Sequence, residues 1–139
     1  MSIVYAGAAV ESRAAPERVF EVLTDWPRHQ EWMFLTRAEL VDGEIAAFSG
    51  IGTLGFLDTM RITRWDPPHA LWVEHTGRVV RGRGAIRVRP LAGGGSRVIW
   101  AEEVEVPFAA LLWPLLQPIV TGLARRSLRK LTRLAGSGP

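Results

Sequence analysis

Two helix-length patterns bracket this chain and leave few choices for the residues between them. The first is residues 15–33, APERVFEVLTDWPRHQEWM. Pro16 suits the first turn of a helix, where its missing N–H costs nothing. Val19, Val22 and Leu23 follow at helical spacing, and Phe20 widens the apolar stripe. Asp25 is placed to cap a second short helix, started by Trp26 and Pro27, with Trp32 near its end. The second pattern closes the chain. No residue from Val106 to Ala124 carries a formal charge, and five cations follow between Arg125 and Arg133. Pro114 and Pro118 are expected to break or kink this segment, leaving a helix over about 118–134. Leu123, Leu128, Leu131 and Leu134 form its buried stripe, and cations near a helix C-terminus suit the dipole.

Everything between reads as antiparallel strands. Residues 3–11 form a small apolar strand. Residues 36–42 alternate until Asp42-Gly43, and 51–65 make one long bent strand or two short ones around Gly52 and Gly55. Asp66-Pro67-Pro68 is a turn, 70–75 a strand, and Thr76-Gly77 a tight hairpin. Residues 78–89 and 96–106 pair through the loop at 92–95. That loop is no phosphate cradle, because it lacks the Lys-Ser/Thr of a P-loop and joins two strands.

The last two strands carry the most physical information. Arg81, Arg83, Arg87 and Arg89 share one parity, while Val80, Gly82, Gly84, Ile86 and Val88 share the other. Side chains alternate across a strand, so one face is basic and the other apolar and small. A symmetric hairpin sets Arg83 opposite Glu103 and Arg81 opposite Glu105, which is mildly favourable. The same register sets Val98 beside Val88 and Trp100 beside Ile86. Glu102 breaks the pattern, having the inward parity of Trp100 and Val104 and facing Gly84. A carboxylate on an apolar face costs free energy unless paired or hydrated. Two readings follow: a rim carboxylate turned outward by a bulge, or a polar anchor or general acid/base in a cavity.

His75 has the parity of Leu71 and Val73 but lies beside the turn, where exposure is expected. Trp72 points outward and is placed to stack on Arg81. Tyr5 is a candidate cavity hydroxyl on a strand that is apolar on both faces. His29 and His69 show no metal-ligand spacing, so no metal site is expected. With no cysteine, disulfides and thiolate sites are excluded. The 47% apolar and 22% charged content is that of one globular domain spanning 1–139. Net charge is +3, but the arginines alternate along one strand or sit on the last helix, so no nucleic-acid surface is expected. The N-terminus lacks a basic region and an apolar stretch of signal-peptide length, so a cytoplasmic location is expected.

Strand, two short helices, antiparallel strands and a long terminal helix, in that order, make the chain similar to the START-like, helix-grip superfamily (SRPBCC). The matching pieces are 15–33, ITRWDPPHAL at 62–71, GRGAIRVRPLAGGGSRVIWAEE at 82–103 and RRSLRKLTRL at 125–134. That group includes polyketide cyclases/aromatases, lipid-transfer domains and coenzyme-Q-binding proteins. The resemblance implies an α+β helix-grip fold, with a curved antiparallel sheet of six or seven strands wrapped around the C-terminal helix. It also implies a cavity between sheet and helix that takes a lipid, polyketide or isoprenoid-like molecule. The 51–65 region is short for the group, which implies a small or shallow pocket.

The expected lining is Trp32, Phe56, Met60, Val73, Gly82, Gly84 and Trp100, with Trp113, Leu116 and Val120 from the last helix. Apolar walls with few polar anchors are usual for such sites. The alternative function is a cyclase, aromatase or dehydratase in which Glu102, with His75 or Tyr5, moves protons. No cofactor is expected. Residues 108–118 are a candidate for weak membrane contact, and the chain is expected to be a monomer or homodimer.

Overall fold

The computed structural model describes residues 2–33, 36–51, 54–106 and 109–136. Strand β1 (Ser2–Ser12) leads into α1 (Pro16–Leu23) and a short 3₁₀ helix (Trp26–Glu31). Six more strands follow: β2 (Thr36–Val41), β3 (Glu44–Ile51), β4 (Leu54–Asp66), β5 (Ala70–Thr76), β6 (Arg81–Pro90) and β7 (Ser96–Val106). Helix α2 (Ala109–Gly136) closes the chain. The strands form one antiparallel, curved sheet in the order β1-β7-β6-β5-β4-β3-β2. Chain ends and hairpins thus dictate the topology: β1 joins β7, and every other neighbour is consecutive.

The local signals explain most of this. Pro16 occupies the start of α1, whose Val19, Phe20, Val22 and Leu23 are all buried. Asp25 does precede the 3₁₀ helix, but its side chain makes no capping bond. Asp42 and Gly43 both have positive φ, 51° and 82°, the two-residue turn that right-twisted hairpins favour. That turn produces β3, a strand the alternation alone leaves out. The β6–β7 register is the one the charge pattern gives, with Arg83 opposite Glu103, Gly84 opposite Glu102 and Val88 opposite Val98.

The core lies on the concave face. Val19, Leu23, Val88, Val98, Leu128 and Leu131 pack there with Leu71 and Trp32. Burying an aliphatic side chain of this size stabilises by about 1.5–3 kcal/mol. Helix α2 packs on β1 and α1, chiefly through its second half, where Leu128, Leu131 and Ala135 are buried. Its first half differs from expectation. Pro114 and Pro118 lie inside a continuous helix, on exposed positions where water can take the freed carbonyls. There Leu111 is 88% and Leu115 74% exposed.

Candidate functional site

Glu102 points inward. Its pair partner is Gly84, and a Cβ built on that glycine would lie 2.7 Å from the Glu102 Cδ. Glycine is therefore what gives the carboxylate its space. The Glu102 Oε2 accepts from His75 Nε2 at 2.8 Å, and Oε1 accepts from Trp100 Nε1 at 3.2 Å. His75 Nδ1 in turn donates to Asp58 Oδ1 at 2.8 Å. Adjacent strands β4 and β5, with β7 on the far side of β6, thus bring two carboxylates onto one imidazole.

His75 is 5% exposed, against the expectation from its place beside a turn. The reason is that β5 is a central strand, in which His75 pairs with Met60 on one side and Gly82 on the other. Burial opposes the charge on its ring, but hydrogen bonds to Asp58 and Glu102, and their charges, outweigh it. The imidazole is pushed up to about 10 and is a cation at neutral pH. Both of its protons are committed to carboxylates, so it has no donor left for a ligand.

Beside Glu102 lies a cavity of about 100 Å³. Trp26, His29, Trp32 and Met33 form one wall, Ile45, Ala47 and Met60 another, and Val73, Gly84, Ile86 and Trp100 the floor. His29 packs between Trp26 and Trp32, with ring centroids 5.0 and 4.8 Å away. Its Nε2 donates to the Leu23 carbonyl at 2.6 Å, and burial lowers its pKa, so this ring is neutral. The Trp32 Nε1 is buried with no partner among the described residues.

Of the expected lining, Trp32, Met60, Val73, Gly84 and Trp100 are here. Five expected site residues lie elsewhere. Tyr5 is 61% exposed on the outer face of β1, because its partner there is Glu103. Gly82 stands off the cavity, where its positive φ of 136° goes with a close approach to the β7 backbone. Trp113, Leu116 and Val120 do not line the cavity, since α2 lies along β1 and α1 rather than over this part of the sheet. The hollow is therefore bounded by the sheet and the short helices. Phe56 pairs with Ser49 in β4, and its side chain falls outside the described residues.

Outside the cavity, Trp72 stacks with Arg87 at 5.3 Å, not Arg81, because Trp72 pairs with Ala85 and Arg87 is the next residue on that face. Asp58, Trp26 and His29 are not among the site residues expected from sequence. Asp58 was legible, since it shares the parity of Phe56 and Met60. Among the described residues no group of three or more His, Asp or Glu could hold a metal ion, and no helix is long and apolar enough to cross a membrane.

The fold is that of the START-like proteins, and the sequence agrees: residues 6–136 match the family described as polyketide cyclase/dehydrase and lipid transport. The chain belongs to that family. Among solved structures it is similar to a conserved protein from Geobacillus kaustophilus, at TM-score 0.80 and 17% identity over 96% of each chain. A START superfamily protein from Mycobacterium smegmatis aligns at TM-score 0.69 and 13% identity, over 96% of this chain and 94% of that one. A norcoclaurine synthase point mutant from Thalictrum flavum, bound to a transition-state analogue, aligns at TM-score 0.72 and 15% identity, over 98% and 96%. No curated protein matches. These identities establish a shared fold, and function has to come from the site.

Proposed function

We propose that the protein binds a small, mostly apolar molecule in the cavity beneath the short helices, with Glu102 as its polar anchor. The observation that carries this is a hollow walled by tryptophan and aliphatic side chains into which, among the described residues, a single carboxylate, that of Glu102, reaches. With Oε1 and Oε2 each holding one donor, the carboxylate keeps lone pairs for a donor on the ligand. Size limits the guest. A dry cavity of about 150 Å³ takes benzene, so about 100 Å³ takes less than one ring unless a wall moves. A multi-ring polyketide or long lipid therefore requires the 3₁₀-helix wall to open. Native mass spectrometry of protein purified from its own host should show a co-purified apolar molecule. Repeated recovery of empty protein, with no small apolar compound binding on titration, would remove the reading.

The second reading is an enzyme of the cyclase or dehydratase type, in a cytoplasmic setting. It is favoured by the Asp58–His75–Glu102 chain, which fixes a carboxylate in an enclosed apolar site where it can take a proton from a bound substrate. Glu102 is the group that would touch substrate, and His75 and Asp58 would position it. Glu102→Gln should then abolish turnover of a cyclisable or dehydratable substrate while the variant stays folded. Undiminished turnover would clear Glu102 of a catalytic role. The exposed Leu111, Leu112 and Leu115 further support weak membrane contact by α2. Liposome flotation that is unchanged when Leu111 and Leu115 become serine would end that part.

A further inference from the structure

The walls of this cavity have an unusual charge balance for so basic a chain. The sequence holds 17 Lys and Arg against 14 Asp and Glu, yet none of those cations lines the hollow. His29 lines it, but as a neutral ring bonded to the Leu23 carbonyl. Glu102 is the lone carboxylate among the described wall residues, and it belongs to a linked trio with His75 and Asp58. Two carboxylates and one imidazole carry a net charge of −1 when His75 is protonated and −2 when it is not. The sign is negative in either state. Excess buried charge costs free energy until a counter-charge reaches it.

Three indoles, Trp26, Trp32 and Trp100, line the same space. Their faces attract cations and repel anions, and aromatic walls of this kind suit alkylated ammonium groups, which are weakly hydrated. The buried Trp32 N–H, which has no partner among the described residues, adds a demand for an acceptor atom. Resting on the reading of this hollow as a ligand site, we propose that its guest is a small alkylammonium ion, with its charge against Glu102 and its alkyl groups on the indole faces. An anion would add to the charge already there, and a neutral guest would leave it uncompensated. At roughly 100 Å³ the hollow is smaller than one that takes benzene, so even a guest of a few methyl groups around one nitrogen and a short arm needs the 3₁₀-helix wall to open slightly.

Three probes of one shape decide the matter by calorimetry: choline (cation), 3,3-dimethyl-1-butanol (neutral) and 3,3-dimethylbutanoate (anion). Choline and the alcohol both keep a hydroxyl oxygen that can accept from Trp32. The expected result is choline binding about tenfold or more tightly than the alcohol, with the carboxylate weakest. Glu102→Gln should erase the preference by weakening choline far more than the alcohol. Because that variant bears on folding, Trp26→Leu serves as a second one, and it should weaken choline more than the alcohol. If the alcohol binds as tightly as choline, or the carboxylate binds best, the alkylammonium proposal falls while the apolar-site reading stands. If no probe of any charge binds, both fall.

Discussion

Glu102 and Glu103 are chain neighbours of identical chemistry on opposite faces of β7, and they lead different lives. Glu103 pairs with Arg83 at 3.0 Å on the outer face, where the two side chains are 36% and 69% exposed. Glu102 faces inward, with a 16% exposed side chain bonded to His75 and Trp100. Outside, water already solvates both partners, so forming the pair gains little. Inside, each group has lost water and depends on its neighbours, so removing one strands the others. One step along a strand thus separates a surface ion pair worth under about 1 kcal/mol from a linked cluster in which removing one member costs about 3–5 kcal/mol. A count of ion pairs would treat these two glutamates alike. Burial is what separates them.

That contrast can be broken most directly by substitution. Glu102→Leu should destabilise the fold by about 3 kcal/mol in urea unfolding, because it leaves the His75 cation with one carboxylate in a buried site. A loss below about 1 kcal/mol would put Glu102 in the same class as Glu103.

Next in size is the pH response. His75 rises to about 10 in the folded state from an unfolded value near 6.5, so its contribution is fully present below about pH 6.5. It is lost as pH climbs through about 10. The melting temperature should therefore fall by about 5–10 °C between pH 7 and 10.5, and His75→Gln should flatten that slope. The readout is unusually clean, since Tyr5 and Lys130 are the only tyrosine and lysine and cysteine is absent. A wild-type profile already flat over that range would mean the imidazole is not held as a cation.

Gly84→Ala comes third. Its Cβ would press on the Glu102 carboxyl group, costing about 1–2 kcal/mol and shifting the Trp100 fluorescence. Wild-type stability with unaltered emission would show the carboxylate lying elsewhere. The smallest effect sharpens the other side of the comparison: Glu103→Gln should cost no more than about 0.5 kcal/mol, and 0.5 M salt should erase even that.

Much of this fold was legible in the sequence because its signals are local. Pro16 and the Val19–Leu23 stripe made α1, and alternation of Arg81 to Arg89 against Glu103 and Glu105 fixed a hairpin register that the structure reproduces pair for pair. A short hairpin leaves few registers open, and charge and apolar matching chose the same one. The inward parity of Glu102 followed from that register. Harder to read were features set by strands far apart in the chain. The β4–β5 pairing shifts between Ile62 and Arg64, an irregularity no local signal announces. That pairing decides that Asp58 meets His75. The course of α2 along β1 and α1 was equally invisible, because an apolar helix reads the same whether it covers a pocket or an edge.

The amino-acid order by itself determined where most of the strands and helices lie, which face of each is apolar, and that one carboxylate would sit on the wrong face of β7. Those follow from bond geometry and from neighbours two to four residues away. Only the tertiary structure decided that Asp58, His75 and Glu102 share protons, that His75 is a cation, and that the hollow lies under the short helices. Those depend on how far each group is removed from water and on which distant strand supplies its partner. Periodicity along a single element carries neither quantity.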